Sequence, residues 1–210
     1  MDPSDTYTER VIGYVDGFNL YFGLKSKGWG RYYWLNIQLL VQNLLKPNQR
    51  LLLTKYFTAR IAGPPDKQER QSTYIEALET LNGFQIFYGK YQLNPRHCSH
   101  CGFQDEVPNE KMTDVNIAVE ILKDAYQNNF DVALLISADS DLVPSLKAVK
   151  ELFPKKRMVV AAPPARYSVD LANSADKHFV ISRRTIAKSL LPEEITKEDG
   201  YILRCPPSWK

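Results

Sequence analysis

Residues 132–136 read Val-Ala-Leu-Leu-Ile, an apolar run with no polar residue alternating through it. A strand of this kind is buried on both faces, so its sheet needs a covering layer above and another below. Residues 158–162, Met-Val-Val-Ala-Ala, make the same demand. A further apolar run at residues 11–15 ends in Asp16-Gly17. Segments of helical spacing lie around these runs: 35–45, which stops before Pro47; 66–81, closed by Asn82-Gly83; 142–153; and 168–174. Val115, Ala118, Val119, Leu122, Ala125 and Tyr126 fall on one helical face. Thr113 is a natural N-cap for that helix, and Asn128-Asn129 end it. Further strands are expected at 51–61, 84–93 and 179–182. Strand–helix alternation of this kind predicts an α/β fold with a mostly parallel central sheet and helices on both faces.

With 210 residues, the chain fits one domain over residues 8–190, an insertion loop at 94–112 and a polar, proline-bearing C-terminal tail at 191–210. A hydrophobic fraction of 44% supports a real core. No apolar run approaches the roughly 18 residues of a membrane span, and no membrane partner is expected. The Met-Asp-Pro-Ser-Asp start lacks the pattern of a signal peptide, so a cytoplasmic location is expected. The net charge is +3, from 27 basic and 24 acidic residues, and any surface for nucleic acid must therefore be a local patch.

Asp16 ends the first apolar strand, and Asp139 and Asp141 follow the strand at 132–136. In an open parallel sheet, ligands bind beyond the carboxyl ends of the strands, where the strand order reverses. If these two strands flank that point, their acids converge. Asp114 joins them if the loop before its helix returns to the same edge. Two carboxylates at about 4 Å repel by on the order of 4 kcal/mol at an effective dielectric near 20. A hard divalent cation, Mg²⁺ or Mn²⁺, relieves such repulsion with oxygen ligands, and it can activate water against a phosphate. Any one of these acids alone reads equally well as a turn former or cap; Asp141 could simply cap the helix opening at Leu142.

Three segments in this order resemble the NYN domain, a branch of the PIN-like nuclease superfamily: Val-Asp16-Gly-Phe-Asn19-Leu, Glu110-Lys-Met-Thr-Asp114-Val-Asn-Ile-Ala, and Ser137-Ala-Asp139-Ser-Asp141-Leu-Val-Pro. The downstream Phe153-Pro-Lys-Lys and Leu171-Ala-Asn-Ser-Ala-Asp176 resemble its LabA-like branch. The resemblance runs from about Val11 to Ile186. It implies a PIN-like three-layer α/β/α sandwich, with Asp16, Asp114, Asp139 and Asp141 as metal ligands or their organisers and Asn19 beside them. It also implies metal-dependent hydrolysis of RNA phosphodiesters, with single-stranded RNA as the partner. Two alternatives stand beside this. One is a nucleic-acid-binding regulatory protein with little turnover. The other is a pyridine-ring hydroxylase, the activity given to some relatives, although no Gly-rich dinucleotide fingerprint follows the first strand.

The loop His97-Cys98-Ser99-His100-Cys101-Gly102 carries half of a structural Zn²⁺ site. Cys98 and Cys101 need further ligands, which His97, His100, Cys205 or the same cysteine pair of a second chain in a homodimer could supply. Lys25, Lys27 and Arg31 are interleaved with Trp29, Tyr32, Tyr33 and Trp34, a mixture suited to phosphates and unpaired bases. Arg96, Lys155, Lys156, Arg157, Arg183 and Arg184 are further basic points. His178 adjoins a strand and reads as structural.

Overall fold

The computed structural model describes residues 8–97 and 100–210, with side chains at all of these except 92–97 and 105–110. Six strands form one parallel sheet: β1 (Glu9–Asp16), β2 (Gln49–Thr58), β3 (Phe84–Tyr88), β6 (Val132–Ile136), β7 (Arg157–Ala162) and β8 (Lys177–Val180). Their order is β3-β2-β1-β6-β7-β8. The chain therefore builds outward from β1 in one direction, then returns to its other side at β6 and builds outward again. The reversal lies between β1 and β6, where Val15 is in register with Ile136.

The unbroken apolar strands are covered on both faces, as the sequence requires. Along β1, Val11 and Val15 enter one core, while Ile12 and Tyr14 enter the other. The first core is closed by α1 (Gly17–Ser26), α2 (Ile37–Asn43), α3 (Pro65–Glu79) and the short α7 (Arg183–Ala187), through residues such as Leu20, Leu40, Leu78 and Ile186. The second is closed by α4 (Thr113–Tyr126), α5 (Val143–Leu152) and α6 (Val169–Ser174), through Ile117, Ile121, Leu146 and Leu171. Gly13 sets the spacing of α2: a Cβ there would lie 2.8 Å from a Val41 methyl. Among the described residues, no helix is long and apolar enough to cross a membrane.

Four expectations need correction. Residues 84–93 are two strands, β3 and then β4, broken at Gly89. The stretch 94–112 is largely an antiparallel ribbon of β4 (Lys90–His97) and β5 (Gln104–Lys111), outside the main sheet. Its polar composition disguised the pairing, because a two-stranded ribbon needs no buried face. Thr113 is the first helical residue of α4; the cap position belongs to Met112, whose φ of 78° places it in the left-handed region. The apolar face read from α4 is its packing face only in part: Ala125 is buried and Leu122 packs against the second core, but the rest of that face does not turn inward. Val115, Val119 and Tyr126 are exposed, whereas Thr113, Ile117, Glu120, Ile121, Asp124 and Ala125 are buried. Burial of two acids is possible because Lys55 of β2 reaches them, with Nζ 2.6 Å from Glu120 Oε2 and 2.6 Å from Asp124 Oδ2.

The C-terminal segment folds back onto the domain. Strands β9 (Glu194–Thr196) and β10 (Ile202–Arg204) form a small antiparallel pair, and a final turn, Pro207–Trp209, brings Trp209 against Tyr33, Trp34 and Tyr74.

Candidate functional site

Asp16 is the last residue of β1 and the N-cap of α1. Its carboxylate accepts from the Asn19 backbone N–H at 2.9 Å and from the Ser137 hydroxyl at 2.9 Å. Ser137, directly after β6, is fully buried and also accepts from the Asp139 backbone N–H at 3.1 Å. One hydroxyl thus ties the two strand ends flanking the reversal point. Asp139 in turn caps the 3₁₀ turn Ser140–Leu142, accepting from the Asp141 N–H at 3.0 Å. The capping role raised for Asp141 therefore belongs to Asp139, and Asp141 itself is exposed. Asp114 sits in the first turn of α4 and faces the other three electrostatically.

The charges of this group are felt. Burial is the largest cause that raises the Asp114 carboxyl to about 6, and the charges of Asp16, Asp139 and Asp141 add to it. Asp16 is also raised, first by burial and then by Asp139, against the opposing hydrogen bonds from Asn19 and Ser137. Among the described residues, no Lys, Arg or His pairs with any of the four.

The acids are neighbours, but they do not form a closed shell: among the described residues, no three His, Cys, Asp or Glu side chains are grouped tightly enough to hold a metal ion. The reason is visible in their bonds. Asp16 is committed to Asn19 and Ser137, and Asp139 is turned toward its own cap. The donor set nevertheless suits a hard divalent cation. All its donors are oxygens. The Asn19 side-chain oxygen, beside Asp16, is buried and has no hydrogen-bond partner among the described residues. A buried acceptor left unpaired costs stability, and a ligand would satisfy it.

A pH dependence follows for chelator-treated protein. The folded Asp114 pKa of about 6 lies above its ordinary value of 3.8, so rising pH ionises the unfolded chain first. Stability is then lost between about pH 4 and about pH 6 and does not fall further on this account above that range. Between pH 4.5 and 7, Asp114→Asn should flatten the decline in Tm relative to the parent chain. Parallel Tm curves for the two proteins would show that Asp114 does not feel the other acids.

The remaining predicted residues divide. Cys98 lies outside the described residues, as do the side chains of His97 and Arg96. Cys101 and His100 are exposed, and Cys205 is buried in the first core. Lys156 and Arg157 are committed far from the acids, at the opposite end of the sheet: Lys156 donates to the Phe130 carbonyl, and Arg157 pairs with Glu9. Arg183 lies over Trp29 and Tyr32, at 5.6 and 5.8 Å from their ring centres. The sequence reading missed Ser137 as a tether and Phe18 and Phe22 as a stacked pair on α1, with Arg166 over Phe22. The Ser-Ala-Asp spacing was the signal for Ser137, since a small hydroxyl two residues before a capping acid can serve both strand ends.

The family model for the NYN domain matches residues 10–183. A relative named 6-hydroxy-3-succinoylpyridine 3-monooxygenase HspA, from Pseudomonas putida (strain DSM 28022 / S16), is 28% identical across 70% of this chain; the match spans only 57% of that protein's own length. A crystal structure of a protein of unknown function from Vibrio parahaemolyticus RIMD 2210633 superposes with a TM-score of 0.56 at 19% identity, covering 91% of this chain and all of that one. That likeness concerns the fold.

Proposed function

The chain belongs to the NYN domain family, whose fold is of nuclease type, and from that premise we propose that it is a metal-dependent ribonuclease acting on single-stranded RNA. The observation that carries this reading is that Asp16, Asp114, Asp139 and Asp141 lie near enough at the reversal point of a parallel sheet for the other three charges to act on Asp114, with no basic counter-charge paired to them among the described residues. Asp16, Asp114 and Asp139, with Asn19 beside them, would hold Mg²⁺ or Mn²⁺. Bound there, the cation supplies Lewis acidity and a water of lowered pKa.

The chain's own part is positioning. Ser137 and the Asn19 backbone fix the Asp16 carboxylate, and the same Ser137 hydroxyl fixes the loop that carries Asp139. Asp141, which is exposed, would complete the ligand set on the solvent side.

The named relative supports a second reading, hydroxylation of a pyridine ring. A nicotinamide or flavin dinucleotide is usually held with its pyrophosphate at the N-terminus of the helix after the first strand. Here the Asp16 carboxylate occupies that helix end as a cap, and its charge would repel a pyrophosphate. That disfavours the second reading for this strand–helix junction.

The deciding experiment incubates purified protein with end-labelled single-stranded RNA in Mn²⁺, in Mg²⁺ and in chelator. Cleavage with metal and none with chelator is expected. Intact RNA under every metal condition would overturn the reading.

A further inference from the structure

Next to the acids lies a cavity of about 350 Å³, near the lower end of the size range of small-ligand sites. Gly17, the residue after Asp16, lines it, and so do Tyr56 and Thr58 near the carboxyl end of β2, the neighbour of β1. The cavity and the acids therefore share one edge of the sheet. Gly17 permits this closeness: a Cβ there would lie 2.6 Å from the Tyr56 hydroxyl oxygen. Tyr56 in turn is close enough to feel the Asp16 charge.

Six rings make the walls: Phe18, Tyr21, Tyr33, Tyr56, Tyr74 and Trp209. None is stacked on another ring of the lining. Tyr33 and Tyr74 meet Trp209 nearly at right angles, at 83° and 79°, and Tyr21 is tilted 43° to Tyr33. Phe18 is stacked on Phe22 and Tyr91, and Tyr56 on Phe84, all outside the lining, so the ring faces left to a flat guest are those of Tyr21, Tyr33, Tyr74 and Trp209. Lys67 and Arg70 of α3 also reach the lining; Arg70 is paired with Asp66 at 2.8 Å, so the positive charge offered there is that of Lys67. Gln71 is held in place by accepting from the Ile61 N–H and donating to the Ala59 carbonyl. A site with abundant ring faces and few free polar groups recognises a planar ring more than its edge pattern.

Ser208 and Trp209, which close the cavity, lie beyond residues 10–183. The C-terminal segment therefore adds this wall to the family domain.

We propose that this cavity is a nucleobase pocket, taking one base of the RNA strand while the adjoining phosphate lies at the acids. The inference rests on the nuclease reading for the identity of its occupant. Binding does not require turnover, however, so the two can fail separately.

The test is calorimetric titration of the full chain, with Mg²⁺ present, with uridine 5′-monophosphate and adenosine 5′-monophosphate. Ribose 5-phosphate serves as the base-free control and pyridine-3-carboxylate as the small-ring control. Saturable binding of at least one nucleotide is expected, well above either control. Trp209→Ala should weaken it about tenfold or more, the scale on which loss of one stacking ring acts. Because Trp209 also packs against Tyr74, Tyr21→Ala provides a second variant at a partly exposed ring and should weaken binding in the same direction. Equal binding of ribose 5-phosphate would assign the affinity to phosphate alone and overturn the pocket. Tighter binding of pyridine-3-carboxylate than of either nucleotide would assign it to a free small ring and overturn it as well. No binding of any probe, or unchanged nucleotide affinity in Tyr21→Ala and in folded Trp209→Ala, would do the same. RNA cleavage with metal but no nucleotide binding would remove this inference and leave the nuclease reading standing.

Discussion

Asp16→Asn and Asp139→Asn should each lower Mn²⁺-dependent RNA cleavage by more than about 100-fold, the upper end of the loss seen when a group that merely orients a metal ligand is removed. Neither change should lower the melting temperature of the metal-free protein. Asparagine at position 16 keeps an oxygen to accept from the Asn19 N–H, and its amide nitrogen can donate to the Ser137 hydroxyl, which still has a lone pair free. It also removes a buried charge whose ionised form is disfavoured by burial and by Asp139. The expected pattern is thus lost activity with equal or higher Tm, and a smaller rise in Tm on adding Mn²⁺ than in the parent chain. Wild-type cleavage in both variants would show that these acids take no part in the chemistry. Lost cleavage with a sharply lower Tm would show that they act only in holding the fold.

Lys55→Met should produce the largest loss of stability in the chain. Lys55 is buried, with its Nζ 2.6 Å from both Glu120 Oε2 and Asp124 Oδ2. The Tyr14 hydroxyl donates to Asp124 at 2.6 Å, and the Asn129 amide donates to its other oxygen at 3.0 Å. Removing the cation leaves buried Asp124 without a counter-charge, and Glu120 with only the half-exposed Lys123, 3.1 Å away. Breaking a buried pair in this way costs about 3–5 kcal/mol. For a chain of this size that is a fall in Tm of roughly 6–20 °C. Combining Lys55→Met with Glu120→Gln and Asp124→Asn should recover much of the loss, because the uncompensated charges go with it. Thermal melts of the single and triple variants decide the matter: a shift below about 2 °C in the single variant would mean that α4 is held by Ile117, Ile121 and Ala125 alone.

This network also shows where sequence reading stops. In α4 the apolar residues Val115, Val119 and Tyr126 share a face, and a periodicity argument turns that face inward. The tertiary structure exposes it and buries Glu120 and Asp124 instead, because their partner comes from a strand more than sixty positions earlier in the chain, Lys55. No local pattern carries such a pairing. The ribbon of β4 and β5 was hidden for a related reason: its polar strands pair with each other outside the main sheet, and that pairing is not written in either strand alone.

What the sequence determined by itself was the layered plan and the acids. Apolar runs at 132–136 and 158–162 read as strands buried on both faces, 11–15 reads as a further strand, and the helical spacing that alternates with them points to a mostly parallel sheet with helical cover. Acids placed directly after two such strands were legible as a candidate site because strand ends are where an open parallel sheet exposes its ligands. The tertiary structure alone decided that β1 and β6 are neighbours, that Ser137 ties Asp16 to the Asp139 loop, and that Trp209 returns to wall a cavity beside Gly17. Each of these is a contact between residues far apart in the chain. Its energy depends on distance and burial in space, quantities that periodicity, capping and composition do not encode.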